Sequence, residues 1–199
     1  MTEHIYAHEH PESEHRREGG FTLWFTGLSG AGKTTIAELV APELERRGLL
    51  VEWLDGDVVR THLTQGLGFS KEDRDINIAR IGWVASRIAR AGAAVVVSAI
   101  SPYEEMRRHA RGLVEPHAAF VEVHVATPIE ECARRDPKGL YAQAFAGEID
   151  EFTGVSAPYE APEHPELRLD TSGLTPTEAA GVVLARLAEL NLVEAEVSG

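Results

Sequence analysis

Gly27 to Thr35 reads Gly-Leu-Ser-Gly-Ala-Gly-Lys-Thr-Thr and fills each fixed position of the pattern G-x-x-x-x-G-K-[ST]. That spacing points to a loop holding a nucleoside triphosphate. Gly27, Gly30 and Gly32 free the backbone to bring N–H groups against phosphate oxygens, with Ser29 and Ala31 between them. Lys33 is expected to reach the β- and γ-phosphates. The Thr34 hydroxyl is expected to sit on Mg²⁺, and Thr35 to line the same loop.

Such a loop works only between a strand and a helix, whose unpaired N-terminal amides favour the anion. Both flanks fit. The run 21–26 is apolar and of strand length, and from Thr34 to Arg47 the residues Ile36, Leu39, Val40 and Leu44 recur at helical spacing. Further along, 49–54 reads as a second buried strand ending at Asp55-Gly-Asp57, and 71–90 as a long amphipathic helix. The runs 93–98, 119–125 and 166–170 read as further strands, and Thr175 to Leu190 as a closing amphipathic helix. Alternation of this kind predicts an α/β fold of the P-loop NTPase type, a parallel sheet with helices on both faces and ligands at the strands' carboxyl ends. From Asp136 to Tyr159 the apolar periodicity fades and glycines appear at 139, 147 and 154, which reads as a mobile lid.

At the strand ends, Asp55 and Asp57 fall where a carboxylate can orient an attacking hydroxyl or help hold Mg²⁺. The third strand ends in Val97-Ser98-Ala99 with no aspartate, so Asp55 or Asp57 must take over part of that role. Asp57 also reads as a helix N-cap. Arg60, Arg74, Arg80 and Asn77 supply planar donors suited to an oxyanion, although most arginines are solvated surface charges.

The 199-residue chain suits one α/β domain. With 19 Lys plus Arg against 32 Asp plus Glu the formal charge is −13, which argues against nucleic acid or an anionic membrane as partner. No apolar run approaches the ~20 residues of a membrane span, and no signal-peptide core is visible. The single cysteine, Cys132, reads as a small core residue and fits a reducing compartment, so a cytoplasmic protein is expected. Residues 1–20, with His4, His8, His10 and His15 among glutamates, read as a flexible polar arm preceding a kinase domain over 21–199.

Beyond the loop, several segments resemble, in order, the motifs of adenylylsulfate (APS) kinases: 54–60 (Leu-Asp-Gly-Asp-Val-Val-Arg), 66–74, 100–103 (Ile-Ser-Pro-Tyr), 135–141, 152–154 and 158–162. The resemblance implies transfer of the ATP γ-phosphate to the 3′-hydroxyl of adenosine 5′-phosphosulfate, with ATP and Mg²⁺ as cofactors, a homodimer and a closing lid. Carried onto matching positions, Ser29 to Thr34 hold the ATP phosphates. Asp57, Arg60, Phe69, Arg74, Asn77, Ile100, Ser101, Lys138 and Phe152 contact the acceptor, with Phe69 and Phe152 sandwiching its adenine. Ser101 matches a serine described in the family as a phosphorylated intermediate. Direct in-line attack is the expected route, with Asp55 or Asp57 orienting the hydroxyl and Lys33 and Mg²⁺ neutralising charge.

The chain departs from the family pattern at Glu104, where an arginine is usual, and between Ala142 and Glu151, where several positive charges are replaced and Asp150 and Glu151 appear. Either these positions face solvent and the activity stands, or the acceptor is a different hydroxyl compound. A nucleotide-binding switch is the alternative of another class. No Asn-Lys-x-Asp run supports it.

Overall fold

The computed structural model describes residues 19–194; the histidine-rich stretch of the N-terminal arm lies outside them. Five strands form one sheet: β1 (Phe21–Thr26), β2 (Val51–Asp55), β3 (Ala94–Ser98), β4 (Ala119–Val125) and β5 (Leu167–Leu169). Their order is β2-β3-β1-β4-β5 and each neighbouring pair is parallel. The glycine loop therefore leaves the sheet at its centre, between the carboxyl ends of β3 and β4.

Among the described residues six helices connect the strands, α1 (Lys33–Arg46), α2 (Gly56–His62), α3 (Lys71–Arg90), α4 (Glu104–Val114), α5 (Ile129–Arg135) and α6 (Leu140–Phe145), and α7 (Pro176–Glu189) follows the last strand. Alternate residues of β1 divide the core. Phe21, Leu23 and Phe25 pack with α1 and α7 on one face, through Val40, Leu44, Val183 and Leu187. Trp24 points the other way, against Ile81 and Ala85 of α3, Ala110 and Val114 of α4, and Phe120, on whose ring it stacks at 5.7 Å. Ser70 caps α3 through the Asp73 amide, and a reciprocal Thr175–Glu178 capping box starts α7 after which Pro176 fits the first turn.

Two expectations are corrected. β2 is an edge strand and only partly buried, because β3 alone pairs with it. The N-cap of α2 is Asp55, not Asp57: its Oδ1 accepts from the amides of Asp57 at 2.9 Å and Val58 at 3.4 Å. The span 136–159 is less irregular than its composition suggests. It contains α6, whose Tyr141 is buried and donates its hydroxyl to the Ser29 carbonyl at 2.9 Å.

Candidate active site

The glycine loop adopts the backbone its sequence demands. Gly27, Gly30 and Gly32 have φ of 147°, 71° and 109°, and a Cβ on Gly27 would lie 2.4 Å from the Val125 carbonyl oxygen. Gly32 starts α1 with no side-chain cap, so the first amides of the helix stay free for an anion. The loop is braced from behind. The Ala31 carbonyl accepts from Thr127 and Thr171, each at 3.0 Å, and Arg135 holds Thr171 through its hydroxyl (2.8 Å) and its carbonyl (2.9 Å).

Lys33 is 8% exposed and folds its ammonium onto the carbonyls of Gly27 (2.9 Å) and Leu28 (2.7 Å). Burial lowers its pKa to about 8, against the smaller opposing pull of the Cys132 and Asp55 charges. Cys132 is itself buried, with its thiol pushed up by burial, as a core residue requires.

Beside the loop runs a chain of hydrogen bonds. The Trp53 indole donates to Ser98 Oγ at 3.0 Å, Ser98 donates to Asp55 Oδ2 at 2.9 Å, and Thr34 Oγ1 donates to the same oxygen at 3.1 Å. Ser98 thus stands at the end of β3 where an aspartate was missing, and passes the position to Asp55 on the neighbouring strand. Thr34 and Asp55 offer hard oxygens side by side. No cluster of three or more His, Cys, Asp or Glu ligands exists among the described residues, and so few protein ligands suit Mg²⁺, which keeps waters and substrate phosphates in its shell.

One cavity of about 960 Å³ joins these groups to the rest of the predicted set. Ser29, Gly30, Gly32, Lys33, Thr34 and Thr35 line it, as do Asp55, Asp57, Arg60, Phe69, Arg74, Asn77, Ile100, Ser101, Lys138 and Phe152. Gly27 and Ala31 lie behind the wall, shaping the loop. Asp57 pairs with Lys138 across the mouth. Phe69 is exposed, with the Arg60 guanidinium 4.4 Å from its ring centroid. Phe152 stands edge-on to Tyr141 at 5.0 Å.

Ser101 is buried at the foot of the cavity with φ of 40°. Its hydroxyl accepts from the Trp24 indole at 3.0 Å and faces the Ala99 carbonyl at 3.4 Å. No base among the described residues bonds to it. Arg80 is not on the cavity wall and reaches toward the Leu63 carbonyl at 3.4 Å. Glu104 is likewise not among the wall residues and pairs with Arg107 at 2.6 Å, whereas Asp150 and Glu151 are both exposed and on the wall. Arg134, Arg135, Thr171, Leu174, Pro176 and Ala179 line the same cavity. The loop motif carries no signal for them, since they come from α5, the stretch between β5 and α7, and the start of α7.

A family model described as adenylylsulphate kinase matches residues 19–170. The adenylyl-sulfate kinase of Picosynechococcus sp. is 53% identical over 180 residues, covering 90% of this chain and 98% of its own. A probable bifunctional SAT/APS kinase of Sorangium cellulosum is 55% identical over 174 residues, but this chain spans only 29% of that protein. The structure of the Mycobacterium tuberculosis APS kinase in complex with AMPPNP and APS superposes with a TM-score of 0.81 at 46% identity, over 85% of this chain and 98% of that one. On the matched family model and these identities, the chain belongs to the adenylylsulphate kinase family.

Proposed function

We propose that the protein transfers the γ-phosphate of ATP to the ribose 3′-hydroxyl of adenosine 5′-phosphosulfate, as a cytoplasmic homodimer whose segment 136–159 closes over the substrates. One observation carries the reading: the glycine loop and the group Arg60, Phe69, Arg74, Asn77 and Phe152 line one shared cavity of about 960 Å³, which has room for a phosphate donor and a second nucleotide.

The free amides of the loop and α1 bind the donor's phosphates, and Lys33 exchanges its two carbonyl partners for phosphate oxygens. Thr34 and Asp55 are the residues that would hold Mg²⁺, which when bound offsets charge on the transferring group. Asp55 is engaged on both oxygens, by the α2 amides and by Thr34 and Ser98. Asp57 carries a carboxylate at the cavity mouth bonded only to Lys138 among the hydrogen bonds described. Asp57 is therefore assigned to orient the attacking hydroxyl and accept its proton. Phe69 and Phe152 hold the acceptor's adenine. Ser101, bonded to an indole and lacking a base, is assigned to shape the cavity floor and not to carry phosphate.

The test is to incubate the purified protein with labelled ATP, Mg²⁺ and adenosine 5′-phosphosulfate, beside a panel of other nucleotides. Label in 3′-phosphoadenosine 5′-phosphosulfate is expected; label in another acceptor, or acceptor-independent ADP release, overturns the reading. A chiral γ-phosphorus must invert. Light scattering tests the dimer.

A further inference from the structure

Arg74 sits in the first turn of α3, 8% exposed, and all three nitrogens of its guanidinium donate to protein oxygens. Nε donates to the Phe69 carbonyl at 2.7 Å; Nη1 donates to Thr153 Oγ1 and Nη2 to the Glu151 carbonyl. The last two partners flank Phe152 in sequence. One side chain thus grips the backbone of one aromatic wall and the residues on either side of the other, across 77 to 79 positions of chain.

The surroundings make this grip consequential. Phe69 is 63% exposed, so little packing fixes its ring beyond the Arg60 guanidinium stacked on it, and Arg60 in turn bonds the neighbouring Gly68 carbonyl at 2.9 Å. Glu151 has φ of 54°, a conformation that non-glycine residues rarely hold without support. Phe152 closes a tight turn: its amide donates to Ser156 Oγ at 2.9 Å and its carbonyl accepts from the amides of Val155, Ser156 and Ala157. That turn is rigid internally. Arg74 is what ties it to the helix across the cavity, because Thr153 is 4% exposed and its hydroxyl meets the guanidinium.

We infer that Arg74, besides the acceptor contact that the resemblance implies for it, is a positioning residue: it latches the two aromatic walls at a fixed separation and selects a flat base by setting the slot's width through Phe69 and Phe152. The inference rests on the proposed acceptor site for its functional consequence, but the latch is made wholly of protein groups and can be tested without substrate. A guanidinium suits the task because its planar fork reaches several acceptors at once, which an ammonium on a flexible stem does not.

Three variants test the latch. Thr153→Val keeps a β-branched side chain but removes the oxygen that Nη1 reaches; it is expected to raise the acceptor KM about tenfold while leaving the ATP KM unchanged, the loss of one charge-assisted bond. Arg74→Lys is expected to behave like Arg74→Ala, since the charge survives but the fork does not. The double variant Arg74→Ala/Thr153→Val is expected to be no worse than Arg74→Ala alone, because both remove one network. Without any substrate, amide hydrogen exchange over 149–157 is expected to quicken in all of them at an unchanged midpoint of global unfolding. Wild-type acceptor KM in Thr153→Val together with near-wild-type Arg74→Lys overturns the latch in favour of simple charge contact. Unchanged exchange in 149–157 overturns it whatever the acceptor proves to be. An exchange change in a protein that fails to phosphorylate adenosine 5′-phosphosulfate keeps the latch and removes only the acceptor assignment.

Discussion

The Thr34 hydroxyl donates to Asp55 Oδ2 at 3.1 Å while the other oxygen of the same carboxylate caps α2. Asp55 therefore has a structural and a chemical task on separate atoms. Asn caps helices about as well as Asp, whereas loss of the cap costs about 1 kcal/mol. Asp55→Asn is expected to unfold within about 0.5 kcal/mol of wild type yet require about 10- to 100-fold more Mg²⁺ for half-maximal turnover. Asp55→Ala is expected to lose both. Urea unfolding beside a Mg²⁺ titration of turnover separates the two, and an unshifted Mg²⁺ dependence in Asp55→Asn removes Asp55 from the metal's surroundings.

Lys33 makes nucleotide binding sensitive to pH. Burial lowers its pKa to about 8 from 10.5. The unfolded chain thus binds more protons than the folded one between those values, and stability from this group rises with pH across that window. A bound triphosphate reverses the effect by favouring the ammonium. Proton uptake on ATP binding is expected between pH 8 and 9, read by calorimetry in buffers of different ionisation enthalpy. Lys33→Ala is expected to abolish that uptake and to lower kcat by about 10²- to 10³-fold with the fold intact. Uptake persisting in Lys33→Ala would assign the proton elsewhere.

The sequence made the centre of the molecule readable because there the local signals agree: apolar β1, glycines that take positive φ, and an amphipathic α1. α3 is legible for the same reason: its bounds match the helical reading of 71–90, although of the apolar positions Ile76, Ile78, Ile81, Val84, Ile88 and Ala89 only Ile78, Ile81 and Ala89 are buried. Where side chains act at long range, the sequence is silent. Asp55 and Asp57 flank one glycine, and only the pairing of β2 with β3, which sets Asp55 opposite Ser98, decides which caps the helix. α4 was hidden because its buried anchor is Arg107, an arginine that reads as solvated until Glu122 and the Ser101 carbonyl are found against it. The same holds for Arg74, whose oxygen partners on the far wall have no signature in their own segment.

Asp150 is both exposed and on the wall of the cavity, in a protein already strongly acidic. A carboxylate there repels polyphosphate through solvent, so the effect is modest and screened. Asp150→Lys is expected to lower the nucleotide KM about two- to fivefold in dilute buffer, the difference shrinking above 0.5 M salt, where the Debye length is only a few ångströms. Steady-state kinetics across a salt series checks it. A KM that falls equally at all salt concentrations would mean a direct contact in place of a field.

Arg107 is 1% exposed and pairs with Glu122, itself 8% exposed, at 2.9 Å, while Nη1 holds the Ser101 carbonyl at 2.8 Å and Nη2 the Glu160 carbonyl at 2.7 Å. It ties the corner after β3 to the stretch after the 136–159 span. Burial raises the Glu122 pKa, and Arg107 is the largest influence lowering it. Arg107→Met leaves a buried carboxylate with only Arg111, at 3.5 Å, to oppose it, a defect worth about 3–5 kcal/mol near neutral pH. Glu122 escapes by taking up a proton, so its pKa rises further in the variant. A carboxyl whose folded pKa exceeds its unfolded value contributes stability below the unfolded pKa that is lost as pH rises through the folded one. The destabilisation by Arg107→Met is therefore expected to be larger at pH 8 than at pH 5, and the double variant Arg107→Met/Glu122→Gln to recover most of the loss. Urea unfolding at the two pH values decides: a penalty independent of pH, with no rescue by Glu122→Gln, would locate the cost in the lost carbonyl contacts of Ser101 and Glu160.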